Sequence, residues 1–77
     1  MTKITIDISA DYIENNEDNK KLLNDLKINN LEFINKNFIG NCYEIEISGS
    51  RDDLIKYLII NHYQFFSDIE ECHPELF

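Results

Sequence analysis

Two seven-residue segments with strictly alternating polarity constrain the fold of this chain more than any other feature. In Lys3–Ser9, KITIDIS, three isoleucines alternate with polar side chains; in Cys42–Ser48, CYEIEIS, Tyr43 and two isoleucines alternate with Glu44 and Glu46. Successive side chains of a β-strand point to opposite faces, and β-branched residues favour strands, so both segments predict half-buried strands. Each strand must then face a core on one side and solvent on the other.

Helical patterns follow each of these strands. In Glu17–Ile28 the leucines lie on one side, and acids precede lysines, as the helix dipole favours. Asn29-Asn30 can end this helix, because asparagine tolerates the left-handed conformation. A second helix is predicted from Ser50 to about His62. Ser50 is followed three residues later by Asp53, a carboxylate variant of the capping box, and apolar residues then recur at i, i+1, i+4 and i+5.

The remaining segments complete an α+β pattern. Leu31–Phe38 predicts a weaker strand, and Gly40-Asn41 predicts a hairpin turn. The short aromatic segment YQFF, Tyr63–Phe66, is a candidate for a final edge strand, so the sequence allows a sheet of four strands or of three. The polar segment 10–19 predicts a loop or a frayed approach to the first helix, with Asp11 and Glu14 able to cap an early turn. The order β-α-β-β-α-β resembles the ferredoxin-like arrangement, an antiparallel sheet with two helices on one face.

Length and charge set the class of partner. The 77 residues predict one domain, residues 1–67, followed by an acidic tail, residues 68–77. Fifteen acids against seven bases give a net charge of −8, which disfavours direct binding of nucleic acid or anionic membranes. The sequence contains neither a membrane-spanning run nor an N-terminal apolar block, so a cytoplasmic location is expected. Cys42 and Cys72 are then expected to be free thiols, although a single bridge between them is left open.

Carboxylates occupy the solvent side of the two firm strands. If the isoleucines face the helices, then Asp7, Glu44 and Glu46 lie near the middle of the open sheet face, because the first and third strands are central neighbours in a ferredoxin-like sheet. Carboxylates are poor strand formers, and like charges on one face repel. Two interpretations of this acidic face therefore remain: a surface that binds a partner, or a surface that is only solvated. Further partner-binding candidates, on the second helix and in the tail, are Asp52, Asp53, Glu70, Glu71, Leu76 and Phe77.

These features resemble those of the small acidic phage and mobile-element inhibitors that act as DNA mimics. The resemblance lies in size, charge, acidic strand positions such as Glu44 and Glu46, and a residue usage typical of A/T-rich coding, with thirteen Ile and ten Asn. It implies a non-enzymatic inhibitor that occupies the basic, nucleic-acid-binding surface of a host protein such as a sliding clamp, a nuclease or a repressor. The competing expectation is a structural or assembly subunit, or a homo-oligomeric adaptor, whose charge only keeps it solvated.

The sequence gives little support for a catalytic site or a metal site. Cys42, His62, Cys72 and His73 show no zinc-ligand spacing, and Glu44 beside Cys42 disfavours a reactive thiolate. With two glycines there is no phosphate-binding loop. We therefore expect no enzyme activity, no catalytic residues, no metal and no cofactor.

The chain ends on HPELF, which resembles the short peptide, approximately Gln-Leu-Ser/Asp-Leu-Phe, by which many bacterial proteins dock on the replication sliding clamp. Leu76 and Phe77 match its terminal apolar pair, while His73 and Pro74 stand where glutamine and leucine are usual. A flexible terminus can insert two apolar anchors into a preformed pocket. The alternative is that both side chains pack on the domain or on a second copy, and the shortness of the chain favours this alternative.

Overall fold

A computed structural model describes residues 1–13, 15–62 and 64–77. The described chain forms a three-stranded antiparallel sheet and three α-helices, so the predicted α+β class is confirmed. Two 3-10 helices, Ala10–Tyr12 and Pro74–Leu76, accompany them. The strands are β1 (Thr2–Ser9), β2 (Glu32–Ile39) and β3 (Cys42–Gly49), and the helices are α1 (Asn16–Ile28), α2 (Arg51–His62) and α3 (Phe66–Cys72).

The sheet has the order β1-β3-β2, with β3 in the middle. Ile4 pairs with Ile47 and Ile6 with Ile45 across β1 and β3, which places the four isoleucines on the side of the sheet that faces the helices. All four are buried in one core cluster with leucines of α1 and α2. The register predicted from alternation is therefore confirmed, because the isoleucines are buried while Glu44 and Glu46 remain partly exposed.

The predicted helix ends and the hairpin turn are also present. At the end of α1, Asn30 has a φ of 60°, its N–H donates to the carbonyl of Lys27, and the Leu31 N–H donates to the carbonyl of Leu26 at 2.8 Å. These two bonds form a Schellman motif, which satisfies the last carbonyls of the helix. Gly40 and Asn41 connect β2 and β3, and Gly40 has a φ of 66°, a left-handed conformation that glycine adopts without strain.

The predicted edge strand at Tyr63–Phe66 is wrong for its described part. Gln64 and Phe65 lie in no regular element, Phe66 begins α3, and Tyr63 lies outside the described residues. Helix formation wins here because it buries Ile69, which is completely inaccessible, whereas the aromatic residues Phe65 and Phe66 stay exposed. The described residues therefore lack the fourth strand of a ferredoxin-like sheet.

The start of α1 differs in detail from the prediction. Asn15 caps the helix, and its side-chain oxygen accepts a hydrogen bond from the Asp18 N–H at 2.9 Å. The alternative cap that involves Glu14 lies outside the described residues. Ile13, within the segment predicted as a polar loop, is buried in the core. Of the described helices, none is long and apolar enough to cross a membrane.

Segment 68–77, separated by sequence as an acidic tail, contributes to the core. Ile69 and Leu76 both belong to the core cluster, at 0% and 1% exposure. The acidic side chains of this segment lie on the outside, since Asp68, Glu70, Glu71 and Glu75 are exposed. The segment is therefore an amphipathic cover of the domain, acidic only on its solvent side.

Candidate partner-binding surface

The open face of the sheet carries an ordered set of polar side chains. Glu46 in the central strand lies between Thr5 of β1 and Asn35 of β2, and Glu44 lies between Asp7 and Asn37. An irregularity between Phe33 and Asn35 shifts the register of β2, so that both asparagines fall beside the glutamates. The strands thus bring Asp7, Glu44 and Glu46 onto one face, as predicted. The two glutamates, but not Asp7, contribute to a shallow depression of about 140 Å³ that is lined by Thr5, Asn35, Asn37, Glu44 and Glu46.

The three carboxylates repel one another at short range. Asp7 and Glu44 are direct cross-strand partners, a relation that places Cβ atoms roughly 5 Å apart. Glu44 and Glu46 are two residues apart on one strand, which is about 6.8 Å. Two described charge contacts both lie away from this face: the ion pair of Arg51 with Asp52 at 3.4 Å, and the contact of His73 with Glu75 at 3.8 Å, which is an ion pair only when the imidazole is protonated. Lys3 shares the face but lies two strand positions beyond Thr5, at the other end from Asp7.

Asp52 and Asp53 lie in the first turn of α2, in the helix layer and not on the open sheet face. The Asp53 N–H donates to Ser50 Oγ at 3.1 Å, and Ser50 Oγ donates to Asp53 Oδ2 at 2.8 Å. Ser50 and Asp53 therefore cap the helix reciprocally, which explains why an acidic residue occupies position 53 without a partner protein. The Asp52 side chain is 93% exposed, and its carboxylate lies 3.4 Å from Nη1 of its neighbour Arg51.

Glu70 and Glu71 are exposed on α3. The acidic candidates are thus divided between the open sheet face and the helix layer, and they do not form one continuous surface. A flat partner that covers the sheet carboxylates does not cover the acids of α2 and α3 at the same time.

The two C-terminal apolar residues have different environments. Leu76 is 1% exposed, and its carbonyl accepts a hydrogen bond from Arg51 Nε. Phe77 is 49% exposed, and its ring packs edge-on against Phe66 with 5.1 Å between centroids, while the Arg51 guanidinium lies 4.9 Å from its centroid. Leu76 could enter a pocket on a partner only by leaving the core. Of the pair, Phe77 is the residue that is accessible as it stands.

A cleft between the first 3-10 helix, α1 and α2 went unnoticed in the sequence. It has a volume of about 520 Å³. Burial, and then the nearby Asp25 carboxylate, raise the pKa of Tyr57 to about 12, and burial lowers the pKa of His62. Both groups are thus uncharged at neutral pH beside the carboxylates of Asp11 and Asp25. The spacing of Asp18, Lys21, Leu22 and Asp25 at i, i+3, i+4 and i+7 is the sequence signal for this side of α1.

An apolar groove on the outer side of α2 was also missed. Its lining is mainly aliphatic and aromatic, and its volume is about 360 Å³. The signal is the uninterrupted run Tyr57-Leu58-Ile59-Ile60, because four consecutive apolar residues on a helix cover more than one face. The groove is lined by Arg51, Asp52, Ile55, Lys56, Ile59, Ile60 and Phe66.

Comparisons of the chain with protein-family models, with curated proteins and with solved structures find no match. Within residues 1–13, 15–62 and 64–77, no group of three or more His, Cys, Asp or Glu side chains is placed to hold a metal ion. Cys42 and Cys72 are both free.

Proposed function

We propose that this chain is a non-enzymatic binding protein that presents the sheet carboxylates Asp7, Glu44 and Glu46 to a basic, nucleic-acid-binding protein in place of phosphates. The single observation that carries the proposal is the pairing of Asp7 directly opposite Glu44, with Lys3, the cation that shares this face, at the far end of β1 and no described ion pair to either carboxylate. Like charges directly opposite on a sheet are destabilising. A bound partner that supplies lysines and arginines removes this repulsion.

The spacing of the charges suits such a partner. Three carboxylates separated by roughly 5 to 7 Å form a dense patch of negative charge, as phosphates do along a nucleic acid. The flanking Asn35, Asn37 and Thr5 add hydrogen-bonding groups without positive charge. Complementary charge steers association, and the affinity then falls as salt rises. A sliding clamp, a nuclease and a repressor all offer basic surfaces of this kind.

The proposal also includes a cellular location, a class of protein and a fold arrangement. We place the chain in the cytoplasm, among proteins similar to the small acidic inhibitors of phages and mobile elements, with neither cofactor nor direct nucleic acid as ligand. Its sheet order fits a ferredoxin-like arrangement in which α3 follows the second helix in place of the fourth strand.

The test compares two variants that carry the same change of charge. Glu44→Gln/Glu46→Gln neutralises the sheet face, and Glu70→Gln/Glu71→Gln neutralises two exposed positions on α3. The immobilised protein is used for capture from a lysate of the host cell at graded salt, with duplex DNA as competitor. We expect a nucleic-acid-binding protein that DNA and salt displace, that the sheet variant fails to capture and that the α3 variant retains.

Two outcomes contradict the proposal. Equal loss of capture in both variants would mean that net charge matters and the sheet face does not. A partner that stays bound at about 1 M salt would favour the second candidate function, an assembly subunit or adaptor that binds through apolar surface. That candidate draws its support from the exposed apolar groove of α2.

Mutation of Asp7 should have opposite effects on partner binding and on folding stability. Asp7→Asn removes the like-charge pair with Glu44 and should stabilise the fold by roughly 0.2–1 kcal/mol. The same change should weaken capture of the partner. A melting temperature below that of the parent would show that Asp7 has a structural role instead.

A further inference from the structure

Helix α2 is apolar on its outer side as well as on its core side. Leu54, Tyr57 and Leu58 face the core and are at most 3% exposed. Ile59 and Ile60 face outwards and are 41% and 56% exposed. Apolar residues therefore extend beyond the core side of α2, and the described domain leaves Ile59 and Ile60 uncovered between the exposed polar residues Lys56 and Asn61.

The exposed apolar surface continues from α2 onto α3. Ile59, Ile60 and Phe66 are exposed and line the groove together with Ile55, which is 9% exposed and also belongs to the core cluster; these four residues define the α2–α3 groove. Phe66 is 52% exposed and packs edge-on against the ring of Phe77, so the surface extends to the end of the chain. Contiguous apolar surface of this kind marks an interaction site more often than scattered single residues do.

The charges at the rim of the groove determine which occupant fits. Arg51 and Lys56 are two of the seven basic residues in a chain of net charge −8, and Asp52 lies one helical turn before Lys56. Two cations at the rim disfavour a basic target, so the groove and the carboxylates of the sheet do not share one partner. In a two-fold interface, by contrast, the same surface of both copies comes together, so a residue of one copy contacts a different residue of the other. Charge pairing across such an interface requires one acidic and one basic residue on each copy. Asp52 and Lys56 provide them.

We infer that the α2–α3 groove is the two-fold interface of a homodimer, with an apolar centre of Ile55, Ile59, Ile60 and Phe66 and a rim where Asp52 of each copy pairs with Lys56 of the other. This inference does not depend on the proposed function. An apolar centre with a charged rim is the usual anatomy of such interfaces.

Dimerisation through this groove has a consequence for the sheet. The groove is on the outer side of the helix layer, and the carboxylates Asp7, Glu44 and Glu46 are on the opposite side of the sheet. Both acidic faces of the dimer therefore stay accessible. Two linked copies of one binding face raise the avidity for a partner that has two basic sites.

Sedimentation equilibrium of the purified chain tests the inference. The protein is studied from about 1 μM to 1 mM at about 0.3 M salt, which screens the repulsion between two acidic copies. We expect a reversible monomer–dimer equilibrium for the parent. Ile60→Gln should weaken it about tenfold or more, since each dimer loses two apolar contacts. The matched control is Ile28→Gln, because Ile28 is 69% exposed on α1, outside the groove.

A charge exchange distinguishes a second copy from any other occupant. Asp52→Lys and Lys56→Asp should each weaken dimerisation, because each leaves two like charges on the rim. The double variant restores one charge of each sign to both copies and should recover the affinity. Circular dichroism verifies that every variant is folded.

Three results would overturn the inference. The first is a parent chain that stays monomeric over the whole concentration range, which is also what an unrelated partner in the groove predicts. The second is equal weakening by Ile60→Gln and Ile28→Gln. The third is a double exchange variant that dimerises no better than the single ones.

Discussion

Truncation of one buried side chain near the C-terminus measures how much the acidic segment contributes to the fold. Leu76→Ala removes a leucine that is 1% exposed and belongs to the core cluster. Buried Leu→Ala changes cost about 2–5 kcal/mol. Because Leu76 lies in a short 3-10 helix whose other residues are exposed, its neighbours can partly close the cavity, so we take the lower part of this range, about 2–3 kcal/mol.

This loss is large for so small a domain. A domain of 77 residues has a typical free energy of unfolding of roughly 4–12 kcal/mol. Each kcal/mol shifts the melting temperature of such a domain by roughly 4–8 °C, so Leu76→Ala should lower it by roughly 8–24 °C. The measurement is thermal unfolding followed by circular dichroism at one fixed protein concentration, because the proposed dimerisation would make the melting temperature depend on concentration.

Phe65→Ala is the matched control in the same segment. It removes a larger side chain that is 76% exposed, and we expect its cost to stay within about 0.5 kcal/mol. If Leu76→Ala melts within a few degrees of the control, then Leu76 is not part of the core in solution. That result would favour the alternative interpretation, in which Leu76 and Phe77 form a docking peptide.

Two further predictions concern the cap and the buried tyrosine of α2. Ser50→Ala removes both hydrogen bonds of the reciprocal cap with Asp53 and should cost about 1 kcal/mol, measured as a lower urea midpoint with an unchanged slope. Tyr57 has its pKa raised to about 12, so the fold favours the protonated phenol; stability is unaffected below pH 10 and falls as the pH rises above it, where an unfolded tyrosine ionises. Tyr57→Phe should reduce this alkaline loss, and equal losses in parent and variant would contradict the assignment.

The sequence predicted the elements whose signals are local. Alternation located β1 and β3 to within a residue, and the Ser50–Asp53 pair located the start of α2. The open-face carboxylates followed from the same alternation, because a strand has only two faces. The expectation that Asp7, Glu44 and Glu46 lie close together required the additional assumption that the first and third strands are neighbours. The direct pairing of Asp7 with Glu44 depends on the strand register as well, and the sequence did not predict it.

The features that the sequence missed depend on tertiary packing. YQFF resembled a strand because aromatics favour strands, but that preference changes with burial, and Phe65 and Phe66 find no strand to pair with. Helix α3 contributes Ile69 to the core, where it is completely buried. Ile69 is a single apolar residue between acids, so no periodic pattern in the sequence predicts its burial. The cleft around Tyr57 and His62 combines three separate elements and has no contiguous motif.

The sheet order β1-β3-β2 also sets the sequence of events during folding. The hairpin of β2 and β3 closes over a two-residue turn, whereas Thr2 pairs with Gly49 across almost fifty residues. Loop closure of that length makes the pairing of β1 slow, and ribosomes add only about 5–20 residues per second. Strand β1 is synthesised before β3, so its isoleucines stay unpaired and exposed to water until β3 has been synthesised. The acid in the centre of β1, Asp7, gives the unpaired strand a charge that opposes aggregation with other chains.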